Sequence, residues 1–271
     1  MAEGMTRRTA VTVGAAGLGS LAGAAAAPAG AAIAVSPTLF SIPQMTIPVV
    51  GNSAAFPVRR VYCIGRNYAA HAREMGSDPS REPPFFFQKP ADAVVVVQPG
   101  TTGTIAYPTL TKNFHYEIEM VAFLKGGGRN IPIEKALELV IGYSVGLDMT
   151  RRDLQDAMKK EQKPWEIGKA FDQSAPLGPI HLADKVGHIA KGRIALSVNG
   201  AVKQNSDLSN MIWNVAEQIA QLSRANELFA GDIIFSGTPE NVGPVVAGDA
   251  MVGMIAGLPD LTVKVAGPLP V

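Results

Sequence analysis

The 271-residue chain is poor in cysteine, histidine and charged residues, and each shortage excludes a class of protein. Its single cysteine, Cys63, excludes an intramolecular disulfide and any metal site built from several cysteines. With only four histidines, carboxylates would have to supply most of the ligands of any metal site. The net charge of +1 gives no electrostatic basis for nucleic-acid binding. What is plentiful is hydrophobic residues, at 47%, which excludes a disordered chain.

Charge is absent altogether between Thr9 and Val58. Arg7 and Arg8 precede this gap, and the Ala- and Gly-rich segment after them is too weakly hydrophobic for a stable membrane span. Paired arginines, a mild apolar segment and an Ala-x-Ala site are typical of a twin-arginine export signal. We therefore predict an export signal over residues 1–34, with a disordered leader or a misassigned start as alternatives. The protein would be periplasmic if the signal is used and cytoplasmic otherwise.

The rest of the chain alternates irregularly between strand and helix signals. Residues 35–57, rich in proline and small residues, predict an extended N-terminal arm. Asn199-Gly200 predicts a type I′ hairpin turn, and Gly126 to Gly128 a second hairpin turn. Strands outnumber helices without strict alternation, which predicts an α+β fold with a dominant sheet. The predicted strands are 58–64, 85–88, 93–98, 113–125, 141–147, 194–198, 201–204, 233–236 and 261–265, and the predicted helices are 67–75, 133–140, 150–161 and 211–224.

Three carboxylates form the most distinctive candidate site. Glu117 and Glu119 are two apart on a predicted strand whose two faces both look buried, so they point the same way. Adjacent buried carboxylates require a proton or a cation, and a hard divalent ion would satisfy both. Asp148, at the end of a predicted apolar strand, could be the third ligand. The alternatives are two solvated glutamates on an edge strand and, for Asp148, a helix N-cap.

A second constellation carries acid–base chemistry. His71 and Glu74 are three apart in a predicted helix, so a carboxylate could orient an imidazole that deprotonates water. The alternative is an exposed helical pair. Lys169 lies among apolar residues and could hold an anionic substrate or stabilise an enolate. Its alternative is a surface lysine whose stem is buried.

Several ordered motifs run from about Phe56 to Pro268. They are Tyr62-Cys63-Ile64-Gly65-Arg66-Asn67-Tyr68, Phe87-Gln88-Lys89-Pro90, His115-Tyr116-Glu117-Ile118-Glu119, Gly146-Leu147-Asp148-Met149-Thr150, Arg152-Asp153-Leu154-Gln155, Gly168-Lys169 and Ser236-Gly237-Thr238-Pro239. Together these motifs resemble the fumarylacetoacetate hydrolase superfamily. Within it, residues 69–75 and 81–87 are most similar to bacterial fumarylpyruvate hydrolases.

The resemblance implies a mixed β-sandwich roll, a homodimer and a single catalytic domain over residues 58–271. It implies that Glu117, Glu119 and Asp148 bind one Mg²⁺ or Mn²⁺, and that His71 and Glu74 form the base on a lid near residues 68–84. Lys169 would contact the oxo-acid oxygens of the substrate. Less directly, it implies substrate contacts for Arg66, Gln155 and Thr238, with Lys89 supporting the site.

The activity that the resemblance implies is metal-dependent hydrolysis of a carbon–carbon bond in a small anionic 2,4-diketo acid, either fumarylpyruvate or a related acylpyruvate. Oxaloacetate decarboxylation and hydroxymuconate isomerisation are alternatives, because they would use the same site. A non-enzymatic alternative is an exported protein that binds oxo acids. Intact His71, Glu74 and Lys169 argue against it, since binding alone needs no base.

Overall fold

The computed structural model describes residues 38–76 and 82–268, so the predicted export signal lies outside the described residues. Residues 38–42 belong to a separate unit and form no helix or strand. A compact unit begins at Pro43. Within the described residues, no helix is both long enough and apolar enough to span a bilayer.

Eighteen strands and six α-helices are found in the described residues. The strands are β1 (Thr46–Ile47), β2 (Phe56–Pro57), β3 (Arg60–Ile64), β4 (Phe86–Lys89), β5 (Val94–Val96), β6 (Thr102–Tyr107), β7 (Phe114–Tyr116), β8 (Ile118–Leu124), β9 (Val140–Leu147), β10 (Thr150–Arg151), β11 (Ala175–Leu177), β12 (His181–Leu182), β13 (Arg193–Val198), β14 (Ala201–Asp207), β15 (Asp232–Phe235), β16 (Gly243–Pro244), β17 (Ala250–Ile255) and β18 (Leu261–Pro268). The helices are α1 (Ala69–Glu74), α2 (Ile133–Ala136), α3 (Arg152–Lys160), α4 (Glu166–Lys169), α5 (Ala183–Val186) and α6 (Val215–Ala225), with 3₁₀ turns at Ala91–Ala93, Leu137–Leu139 and Leu208–Asn210.

Two large mixed sheets dominate, which confirms the predicted fold class. The first has the order β4-β3-β15-β8-β9-β11-β5, with β12 also paired to β9, and the second has the order β14-β13-β17-β18-β6. Most pairs are antiparallel, but β15–β3, β11–β5 and β18–β6 are parallel. Two small sheets, β10-β7-β16 and β1-β2, complete the strands. The β1–β2 pair falls within the segment predicted as an extended arm, and it buries Ile47 and Phe56 in the core.

Strand β8 lies at the centre of the core, and all seven of its residues are buried. Because side chains alternate along a strand, Ile118 and Met120 join one hydrophobic cluster, whereas Val121 and Phe123 join another. The first cluster also contains residues of the second sheet, so it fills the space between the two sheets. Gly253 of β17 allows this close approach, since a Cβ there would lie 2.6 Å from Ile118 Cδ1.

Several predicted elements differ from the structure. The strand predicted over 113–125 is interrupted at Glu117, between β7 and β8. The hairpin turn predicted at Gly126 to Gly128 is wrong, because β8 pairs with β9 only after α2 intervenes. Gly128 instead exchanges two backbone hydrogen bonds with Leu228. Strands β6 and β17 were not predicted.

Two helices start later than their sequences suggested. The helix predicted over 211–224 begins at Val215, because Asn214 and Glu217 form a capping box in which each side chain accepts from the other's backbone N–H. The helix predicted from residue 150 begins at Arg152, since Thr150 pairs with His115 as part of a short strand.

Candidate active site

The three carboxylates converge in the structure. Glu117 lies in the break between β7 and β8, Glu119 is the second residue of β8, and Asp148 directly follows β9. The Asp148 backbone N–H donates to the Glu117 carbonyl at 2.9 Å, which ties the two strand ends together. One potential ligand atom from each residue lies within 4.8 Å of the others, and all three residues are buried. The alternative of solvated glutamates on an edge strand is therefore wrong.

Asp148 is not a helix cap either. Helix α3 begins at Arg152, and Arg151 occupies the N-cap position. The carboxylate of Asp148 instead forms ion pairs of 2.8 Å with Lys89 and with Lys169. The Asp148 carboxylate therefore lies beside the carboxylates of Glu117 and Glu119, and it does not cap the helix.

Three buried cations surround this acidic cluster, namely Lys89, Lys169 and Arg152. Lys169 Nζ lies 2.8 Å from both Glu117 Oε2 and Asp148 Oδ2, and 2.7 Å from Thr150 Oγ1. Arg152 pairs with the other oxygen of Glu117. Burial opposes ionisation of Glu117, but Lys169 and Arg152 outweigh it and hold the pKa of Glu117 well below its usual range. Lys169 is only 2% exposed, so the alternative of a surface lysine is wrong.

Glu119 differs from its two neighbours in charge balance. Within residues 38–76 and 82–268, no ion pair reaches it, and its carboxylate accepts a hydrogen bond of 2.7 Å from the Gly237 backbone N–H. Burial, together with the charges of Asp148 and Glu117, raises the pKa of Glu119 well above its usual range. A divalent cation would supply the positive charge that Glu119 lacks, and carboxylate oxygens are the ligands that Mg²⁺ and Mn²⁺ prefer. The donor set therefore fits such an ion.

The imidazole and carboxylate of the predicted base are paired. His71 on α1 is buried, and its Nδ1 lies 3.1 Å from Glu74 Oε2. Glu74 is held in turn by the Asn241 backbone N–H, at 3.1 Å from each of its oxygens. With Nδ1 engaged by Glu74, Nε2 is the nitrogen left to face a water molecule. His71 is buried whereas Glu74 is exposed, so the alternative of an exposed helical pair is wrong for the imidazole but not for its carboxylate partner.

A single cleft of about 410 Å³, including its open mouth, joins the two constellations. Glu117, Glu119, Asp148, His71 and Lys169 all line it. Of the predicted substrate contacts, Arg66, Gln155 and Thr238 line it as well.

Lys89 lies behind the cleft wall. Its ammonium donates to the backbone carbonyls of Met149 and Lys169, in addition to its ion pair with Asp148. It therefore supports Asp148 and Lys169, as expected, without lining the cleft. Of the lid predicted near residues 68–84, residues 77–81 lie outside the described residues.

Two site residues were not predicted individually. Arg152 lines the cleft and bonds to both Glu117 and Gln155. Gln204, fully buried on β14, accepts from the Ile118 N–H and donates to Thr238 Oγ1 at 3.0 Å. Gln204 thus fixes Thr238 relative to the start of β8. Arg152 belongs to the motif Arg152-Asp153-Leu154-Gln155, but nothing in the sequence near Gln204 marks that residue as buried.

Comparison with known proteins gives consistent matches. Residues 60–266 match the family described as fumarylacetoacetate (FAA) hydrolase, C-terminal. A fumarylpyruvate hydrolase from a Ralstonia species is 41% identical over 188 residues, which are 69% of this chain and 95% of that protein. An oxaloacetate tautomerase from Escherichia coli is 38% identical over 197 residues, which are 72% of this chain and 88% of that protein. The crystal structure of a fumarylpyruvate hydrolase from Pseudomonas aeruginosa in complex with Mn²⁺ and pyruvate has a TM-score of 0.83 and 56% identity, covering 85% of this chain and 99% of that one.

Proposed function

The chain belongs to the fumarylacetoacetate hydrolase family, and we propose that it is a metal-dependent hydrolase that cleaves fumarylpyruvate, or a closely related acylpyruvate, into a carboxylate and pyruvate. The observation that carries this proposal is that one cleft joins the buried carboxylate triad to the paired His71 and Glu74. Fumarylpyruvate hydrolases among the relatives, one of them crystallised with Mn²⁺ and pyruvate, support the choice of substrate.

Glu117, Glu119 and Asp148 would hold one Mg²⁺ or Mn²⁺. When bound, such an ion supplies Lewis-acid stabilisation of negative charge on substrate oxygens. The chain's own cations add to this effect. Burial lowers the proton affinity of Lys169, but Asp148 and Glu117 outweigh it and raise the pKa of Lys169. Lys169 therefore keeps its charge and can stabilise an anionic oxo-acid end of the substrate.

His71 would act as the general base. Its Nδ1 is held by Glu74, so Nε2 accepts the proton of a water molecule while the carboxylate stabilises the imidazolium that forms. The hydroxide so generated adds to the 4-carbonyl of the diketo acid. Glu74 is anchored by Asn241, which fixes the imidazole against the cleft wall.

The carbon–carbon bond between C3 and C4 then breaks, and its electron pair leaves as the enolate of pyruvate. Lys169 stabilises the charge of that enolate. The proton held on His71 returns to C3 and gives the methyl group of pyruvate. The balance is fumarylpyruvate plus water to fumarate, pyruvate and one proton, with no oxidant or reductant required.

Product analysis in ¹⁸O-labelled water tests this proposal. Hydrolysis predicts equal amounts of fumarate and pyruvate, with one ¹⁸O in the newly formed carboxylate of fumarate. Fumarate without label, or pyruvate without fumarate, would contradict attack by water on the 4-carbonyl.

A second candidate is a reaction on oxaloacetate, which the tautomerase from Escherichia coli supports. Enolisation or decarboxylation of oxaloacetate would use the same triad and Lys169 but would need no attacking water. Oxaloacetate supplied in parallel separates the two, since exclusive turnover of oxaloacetate would favour this candidate.

We also propose that the protein is a homodimer and that residues 1–34 direct it to the periplasm. The family resemblance supports the dimer, and the paired Arg7 and Arg8 support export. Sedimentation equilibrium should give twice the chain mass of 28.4 kDa. Substitution of both arginines by lysine should retain the protein in the cytoplasm, and a mass of one chain or unchanged export would contradict the respective proposal.

A further inference from the structure

Two cations that the proposed mechanism does not use face the same cleft. Arg66 follows β3, and Lys159 lies on the last turn of α3. Both line the cleft together with the carboxylate triad. The triad is buried at its floor, whereas Lys159 is exposed. Arg66 is half-buried, so both cations are more accessible to solvent than the triad.

Arg66 and Lys159 differ from the buried cations around the carboxylate triad, because no carboxylate among the described residues pairs with either of them. Lys89, Lys169 and Arg152 each pair with a carboxylate of the triad. In the part of the chain that the structure describes, no ion pair reaches Arg66 or Lys159.

The surroundings hold both side chains in place. The Arg66 guanidinium lies 5.6 Å from the ring centroid of Phe85 and 5.8 Å from that of Trp165. The two rings meet edge to face at 5.3 Å. Lys159 Nζ donates to the Met75 carbonyl at 3.0 Å. Both cations are thus positioned before any ligand binds, which lowers the entropic cost of binding.

Arg66 also adopts an unusual backbone conformation, with φ at 54°. Non-glycine residues seldom occupy this left-handed region, and such residues concentrate at functional sites. Burial and the positive charges of Arg66 and Arg152 lower the pKa of Lys159, and Asp156, one turn earlier on the helix, only partly offsets this. A ligand anion between the two cations would relieve their repulsion.

We propose that Arg66 and Lys159 form a subsite for a carboxylate at the distal end of the acyl chain, so that the enzyme selects acylpyruvates that end in a carboxylate. The subsite rests on the proposed function. A guanidinium and an ammonium together give the charge-assisted hydrogen bonds that a carboxylate accepts. Phe85 and Trp165, beside Arg66, offer flat surfaces to a planar conjugated chain.

A pair of substrates that differ only at the distal end isolates this subsite. Fumarylpyruvate ends in a carboxylate, whereas crotonylpyruvate carries a methyl group in its place and keeps the conjugated chain. Release of pyruvate from each, by the full chain with Mn²⁺, gives two values of kcat/KM and hence a selectivity ratio.

Lys159→Gln is the informative variant, because an exposed residue at a helix end tolerates substitution without loss of folding. We expect its kcat/KM for fumarylpyruvate to fall about five- to tenfold, with crotonylpyruvate unchanged. Lys159→Arg should keep the selectivity of the natural chain. Lys160→Gln, which removes the exposed neighbouring charge outside the cleft, is the matched control and should change neither substrate.

Equal losses on both substrates in Lys159→Gln, or no loss on either, would overturn the subsite. If the natural chain releases pyruvate from neither compound, the proposed function fails and the two compounds become stable ligands. The ratio of their Kd values in the natural chain and in Lys159→Gln, measured by calorimetry, then tests the subsite. An unchanged ratio would again overturn it.

Discussion

Replacement of His71 by alanine should separate catalysis from metal binding. His71 lies beside the carboxylate triad in the cleft but is not one of its three members. Loss of a general base lowers kcat by a factor of about 10² to 10⁴. The affinity for Mn²⁺ should stay within about threefold, because the three carboxylates remain in place.

Glu74→Gln should lower kcat as well, but by less than His71→Ala does. At the 3.1 Å between His71 Nδ1 and Glu74 Oε2, Coulomb's law with an effective dielectric constant of about 20 gives roughly 5 kcal/mol between unit charges. The Glu74 side chain is 31% exposed, so solvent screening reduces the effect on the imidazolium to on the order of 1–2 kcal/mol. This corresponds to a decrease in kcat of about 5- to 30-fold, smaller than that of His71→Ala.

The assay is pyruvate release from fumarylpyruvate at saturating Mn²⁺, with Mn²⁺ affinity measured separately by calorimetry. His188→Ala is the matched control, because this exposed histidine hydrogen-bonds to Tyr143 outside the cleft. Equal losses of turnover and metal affinity in His71→Ala would refute the assignment of His71 as base. A larger loss in Glu74→Gln than in His71→Ala would refute the supporting role of Glu74.

Three further predictions concern buried ionisable side chains. Glu119→Gln should weaken Mn²⁺ binding about 100-fold or more in calorimetry while the fold is kept, since the amide oxygen still accepts from Gly237. Lys169→Met should destabilise the metal-free protein to urea by about 3–5 kcal/mol, because it removes a buried cation that pairs with both Glu117 and Asp148. Lys135→Met, at an exposed pair, should cost under about 1 kcal/mol. Burial and the charge of Asp148 raise the pKa of the Cys63 thiol well above its usual range. A thiol reagent should therefore not label the folded protein even at mildly alkaline pH. Rapid labelling would contradict the burial of Cys63 in β3.

The sequence predicted correctly those features that short segments of the chain determine. The type I′ turn is confirmed, with φ of 50° at Asn199 and 80° at Gly200. The burial of both faces of the strand that contains Glu119 is confirmed in β8. In both cases a few neighbouring residues determine the conformation, so no knowledge of the rest of the fold was needed.

Features that depend on residues far away in the sequence could not be predicted from it. The strand break at Glu117 coincides with bonds to Arg152 and Lys169, which lie 35 and 52 residues further on. The helix containing Arg152 starts two residues later than predicted, because Thr150 pairs with His115, which lies 35 residues earlier in the chain. Gln204 is buried on a strand whose pairing register shifts between Leu196 and Ser197, so alternation alone could not place it.

Metal-dependent pyruvate release by the purified full chain tests the central claim most directly. Fumarylpyruvate and oxaloacetate are supplied in parallel with Mg²⁺, with Mn²⁺, or with EDTA. The proposed function predicts pyruvate and fumarate in equal amounts from fumarylpyruvate with either metal, none with EDTA, and recovery when Mn²⁺ is restored. Turnover of fumarylpyruvate that persists undiminished in EDTA, or turnover of oxaloacetate alone, would contradict it.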